Sequence, residues 1–182
     1  MRGIEQLSLG LILAMQLTLL ASNSTSYEEN VHYELTRFLA VSAGLEEDVA
    51  IEIARADQGT DDDPTTSPWS GYKAREMYHF VTAKRLSELR VEALSSCDTK
   101  TVGQFLHASE DSFAHENYGP LIGHFPDPTP DWAFWNLPKA MSMAKSKFFE
   151  LAELEKTCQH FGKVGPKKWD EIAETVRKFL EL

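Results

Sequence analysis

The stretch Thr101–Pro120, TVGQFLHASEDSFAHENYGP, decides how the rest of the chain is read, because His107, Asp111 and His115 recur in it at intervals of four. At about 100° per residue, side chains at i, i+4 and i+8 leave a helix within about 80° of one another. Three groups with metal-binding chemistry therefore share a face. The ends support the helix: Thr101 and Gln104 form a T-x-x-Q capping box, and Gly119-Pro120 supplies a stop. Val102, Phe105, Leu106, Ala108, Ser109 and Phe113 make the opposite face. The helix is expected to pack on that side and present ligands on the other.

Five of the six histidines, His32, His79, His107, His115 and His124, lie between the start of the first predicted helix and the loop just past this segment. Histidine is the commonest metal ligand, and zinc sites combine imidazole nitrogens with carboxylate oxygens. Two surface histidines flanking an acid would be the plain alternative for this helix taken alone; the clustering favours a metal site. Upstream, Asp57 continues the apolar face Val49, Ala50, Ile53, Ala54, and an aspartate on a buried face needs a partner. Gly59 is expected to end that helix, leaving Asp61, Asp62 and Asp63 in a loop before Pro64. Asp61 is the favoured oxygen ligand there, with Asp57 as the alternative.

Around this centre the chain reads as helices. Ser26 and Glu29 cap a first one with the stripe Val31, Leu35, Phe38, Leu39, closed by Gly44 in a left-handed position. Glu46, Glu47 and Asp48 open the second, where the helix dipole favours acids. His79 falls inside Gly71–Ala93, helical at least from Val81 onward, and two amphipathic helices, Lys139–Gln159 and Lys167–Leu182, follow a proline-rich loop. In that loop Trp132, Phe134 and Trp135 are expected to cap the core rather than bind substrate. The result is an all-α single domain of about five to six helices, with the metal site between helices.

The 182 residues suffice for one domain with its own core, and nothing in the composition suggests disorder or repeats. Residues 1–24 read as a secretory signal peptide: an apolar run, Leu7 to Ala21, is too short to span a bilayer and is followed by small polar residues. Residues 25–182 then form the helical metal-binding domain, secreted or periplasmic, with no stable membrane span after cleavage. The formal charge of -10 argues against long nucleic acids as partners. Cys97 and Cys158 permit one disulfide in an exported protein, or remain two buried thiols.

The segments VHYELTRFLAVSAGL, IARADQGTDDD, YHFVTA and VGQFLHASEDSFAHENYGPLIGHFPD resemble, in this order, bacterial relatives of the zinc-dependent phospholipase C and single-strand-specific nuclease superfamily. The resemblance covers about residues 31–131 and implies a helical phosphoesterase with two or three clustered zinc ions. It implies His107 and Asp111 as the helical ligand pair, His79 as the preceding histidine, Asp61 as the loop aspartate, His32 as ligand to a second zinc, and His115 and His124 at a further site. Two parts of the superfamily pattern have no counterpart: an amino-terminal Trp of the mature chain, and a final His-x-x-x-Glu or His-x-x-x-Asp pair.

The function expected is a secreted metal-dependent, zinc-using phosphoesterase, with Asp111 or Asp57 bridging metals or orienting the attacking water. Its substrate would be a small phosphoester or a phospholipid. Two rivals stand beside it: a non-catalytic helical protein with a structural or sensing metal site, and a secreted interaction module that binds through the Trp132–Trp135 loop.

Overall fold

The computed structural model describes residues 29–121, 133–162 and 164–181, and among them it is all-helical, with seven helices and no strand. The first, α1, is π-helical over Asn30–Leu35 and α-helical over Thr36–Ser42. Then come α2 (Glu47–Asp62) and α3, which is α-helical over Tyr72–Ala74 and π-helical over Arg75–His79. They are followed by α4 (Ala83–Ser96), α5 (Thr99–Ala114), α6 (Leu137–Thr157) and α7 (Trp169–Leu180). The short α3 accounts for the excess over five or six. The features expected at residues 1–28, the signal peptide and the Ser26 cap, lie outside the described residues, as do His124 and Trp132.

Helix α5 runs through the middle, packed against α2, α3, α4 and α6, while α7 closes over α6 and α1. Its boundaries differ from the sequence expectation. Asp98 is the cap, accepting from the Thr101 amide at 2.9 Å and from its hydroxyl, so Thr101 is a donor to the cap and not the cap itself. The helix ends at Ala114, with His115 as the residue just past it, and Gly119-Pro120 is not needed as a stop. Nor does α5 keep one wet face: Val102, Phe105 and Leu106 are buried on one side, and His107, Glu110 and Asp111 on the other.

Helix α2 also outruns expectation. Gly59 takes no left-handed backbone, the helix continues to Asp62, and Asp63 turns extended before Pro64. Asp61 therefore stands on the helix one turn beyond Asp57, not in a loop, and both face inward. Gly44 does have the left-handed backbone read for it, with φ at 104°.

The core joins Leu35 and Leu39 of α1, Ile53 of α2, Leu89 of α4, Leu106 of α5, Met143 and Leu151 of α6, and Ile172, Val176 and Leu180 of α7. Phe134 and Trp135 do not cap it; they stand 50% and 64% exposed. Cys97 and Cys158 form a disulfide that ties the end of α4 to the end of α6.

Gly103 sets the distance between α5 and α2. A Cβ there would lie 2.5 Å from Ala56 Cβ and 2.6 Å from the Asp57 amide nitrogen, against backbone that cannot yield. Alanine normally gains about 1 kcal/mol over glycine inside a helix. The overlap outweighs that gain: Gly103→Ala is expected to destabilise by roughly 1–3 kcal/mol, the usual cost of overpacking. A thermal melt at or above the wild-type midpoint would contradict this reading of the interface.

Candidate metal centre

Two π-helical stretches place two of the histidines. An i→i+5 hydrogen bond, Phe80 amide to Arg75 carbonyl at 2.7 Å, closes the turn that ends in His79, and a similar widened turn carries His32. Such insertions rotate a side chain out of its regular register and recur at functional sites. His32 and His79 are both buried as a result.

Hydrogen bonds to carbonyl groups fix which nitrogens face the centre, because a carbonyl only accepts. His79 Nε2 donates to the Thr66 carbonyl at 2.9 Å, which turns Nδ1 inward. His115 Nδ1 donates to the His79 carbonyl at 3.0 Å. Backbone-anchored imidazoles of this kind are the usual support of metal-binding histidines.

Inside, His79 Nδ1 lies 2.9 Å from Asp111 Oδ2, 3.1 Å from His107 Nε2 and 3.7 Å from Asp61 Oδ1. His107 Nε2 is 3.5 Å from both Asp61 Oδ1 and Asp111 Oδ2. Zinc bonds of about 2.0–2.2 Å in a tetrahedron put neighbouring ligand atoms roughly 3.3–3.6 Å apart, so these separations bracket a tetrahedral shell. Several of them are too long for hydrogen bonds. Both oxygens of Asp61 are buried and accept no hydrogen bond, a costly arrangement without a cation between the groups.

The electrostatics agree. Burial pushes the Asp61 carboxyl up, and His107 and His32 offset it only in part. Burial disfavours charge on His107 too, yet Asp111 and Asp61 hold its imidazole well above the ordinary range. Burial opposes ionisation of Asp111, but His107 and His115 keep its carboxyl well below the ordinary value. A divalent ion between these groups would compete with the protons they bind.

A second buried group lies behind the first. Asp57 Oδ1 is 3.2 Å from His32 Nδ1 and 3.4 Å from His107 Nδ1, while His32 Nδ1 lies 2.7 Å from Glu110 Oε2. His32 Nε2 faces the first group, 3.7 Å from Asp61 Oδ2 and 4.0 Å from Asp111 Oδ1. Lys147, fully buried on α6, reaches Asp57 Oδ2 at 2.8 Å and also contacts Glu110 and Thr36. Thr36 Oγ1 in turn donates to Asp57 Oδ2 at 2.7 Å. Burial works against an ionised Asp57, but Lys147 and the two imidazoles hold its carboxyl far below the usual range.

The structure thus brings together His32, Asp57, Asp61, His79, His107 and Asp111, with His115 at the edge, its Nδ1 3.7 Å from Asp111 Oδ2. His32, Asp57 and His107, and separately Asp61, His79 and His107, are each spaced so that they could hold a metal ion. Sequence reading passed over Glu110, Thr36 and Lys147. Lys147 did leave a signal, for it interrupts the buried stripe Ala140, Met143, Ala144, Leu151, Leu154 of α6, where a charge needs a partner. His160, the sixth histidine, stands apart from the site: it is exposed, with Nε2 3.0 Å from the Cys97 carbonyl.

Compared with protein-family models, curated proteins and solved structures, the chain matches none. Fold and site together define an all-helical domain whose buried His/Asp groups could hold a metal ion.

Proposed function

We propose that this chain is an exported, zinc-dependent phosphoesterase-like hydrolase, with Asp61, His79 and His107 as the ligands of one ion, a fourth position left for water, and Asp111 beside them. The observation that carries the reading is the Asp61 carboxylate, buried without a hydrogen bond and faced by His107 and His79 nitrogens at 3.5 and 3.7 Å. Nitrogen and carboxylate ligands in a tetrahedral spacing favour zinc over magnesium or calcium, which take oxygen shells. His107 belongs to both buried groups, but a neutral imidazole has a single lone pair, so it ligates in one of them only.

A zinc ion supplies a water of lowered pKa and polarises a phosphoryl oxygen. In this reading Asp111 and Asp61 hold negative charge at the centre, while Thr66 and the His79 carbonyl fix the imidazoles. Substrates would be small phosphoesters or phospholipids, since the charge of -10 opposes long nucleic acids. The Cys97–Cys158 disulfide supports export to an oxidising compartment. Among the described residues no helix is long and apolar enough to cross a membrane.

A structural metal site is the second reading. It is favoured by the depth of the group: the Asp61 side chain is 7% exposed and those of His79, His107 and Asp111 at most 1%. Cobalt-substituted protein separates the two. Inorganic phosphate should shift its visible absorption if the ion keeps an open position, and leave the spectrum unchanged if the site is closed.

Both readings need Asp61. Asp61→Asn, which keeps size and removes charge, is expected to weaken zinc binding by more than the roughly 10–100-fold typical of an outer partner. Competition against a chromophoric chelator measures it, and unchanged affinity would remove Asp61 from the site.

A further inference from the structure

The second buried group, around Asp57 and Glu110, has the acids of a metal site but already contains a positive charge. Lys147 Nζ has three N–H donors and meets three oxygens, Asp57 Oδ2 at 2.8 Å, Glu110 Oε1 and Thr36 Oγ1. All four side chains are buried, and the three oxygens come from α1, α2 and α5. A lysine is seldom placed so deep unless its charge is fully met. Here the ammonium has the shell that a hard divalent ion would take from carboxylate and hydroxyl oxygens.

We propose that Lys147 is the resident cation of this second group, standing where a divalent ion would otherwise bind. It meets both Asp57 and Glu110, and those two carboxylates in turn face Nδ1 of His32 and His107. Lys147 is thereby a positioning residue: it keeps the two imidazoles turned with Nε2 toward Asp61 and Asp111. The proposal deepens the metal reading above and rests on it for the role of those imidazoles. The latent oxygen site can be tested separately.

The experiment compares wild type, Lys147→Ala and Lys147→Met, each first incubated with zinc and then titrated with Mn2+, whose free ion is counted by electron paramagnetic resonance. Lys147→Ala vacates the ammonium position and is expected to bind one more Mn2+ per chain than wild type. Lys147→Met fills the space without charge and should gain none. Equal uptake by wild type and Lys147→Ala overturns the proposal; equal gains in both variants do so too, since the ion would then sit elsewhere.

Circular dichroism covers the case in which Lys147→Ala loses its fold. Helicity restored by millimolar Mn2+ is the expected result, and helicity that stays lost overturns the proposal. Zinc content of the wild type is read independently. Wild type without zinc sinks the hydrolase reading, whereas the Mn2+ difference alone decides the role of Lys147.

Discussion

Lys147→Met is expected to destabilise the protein by about 3–5 kcal/mol, the range for removing one partner of a buried ion pair. Methionine replaces most of the lysine stem, so little of the loss comes from a cavity. The loss comes from Asp57 and Glu110, which keep their burial and lose their cation. Urea unfolding at fixed zinc concentration measures it.

The loss should also depend on pH, with a definite sign. In wild type the Asp57 carboxyl is held below its usual value, so its contribution is present above the unfolded carboxylate pKa of about 4 and is lost as pH falls toward the folded value. In Lys147→Met the same carboxyl gains by taking up a proton. The gap between the two proteins should therefore be widest near neutrality and narrow on acidification. A gap that stayed constant, or was below about 1 kcal/mol at neutral pH, would show that the pair adds little.

Opening the Cys97–Cys158 bridge is expected to have an effect of similar size. With a sequence separation of 61, the chain-entropy account gives about 4 kcal/mol. The bridge joins the ends of α4 and α6, which are also linked by Arg90 Nε to Glu150 Oε2 at 2.8 Å. Because α6 carries Lys147, loosening that end should weaken the group around Asp57 as well. Paired Cys97→Ser and Cys158→Ser substitutions, compared by urea unfolding, test it. A loss under about 1 kcal/mol would mean that packing alone holds the two helices.

Much of the site was legible because a helix preserves spacing. His107 and Asp111 had to share a face of α5 wherever that helix was placed, and Asp57 had to lie on the buried side of α2. Asp61 was misplaced into a loop because glycine was read as a stop. Gly59 does not serve as one, and Pro64 ends the helix instead. Two widened turns, at His32 and His79, have no sequence signature, yet they turn both imidazoles into the interior.

The sequence by itself determined the helical class, the apolar stripes that make the core and the set of His and Asp residues from which a site could be built. Those follow from periodicity and side-chain chemistry, which are local properties. Only the tertiary structure decided that Gly103 lets α2 approach α5 closely enough for Asp57 and Asp61 to meet His107. It also decided that a lysine from α6 enters among the acids of α2 and α5. Such pairings join residues far apart in the chain, and only the packing of one helix on another fixes their distance and burial.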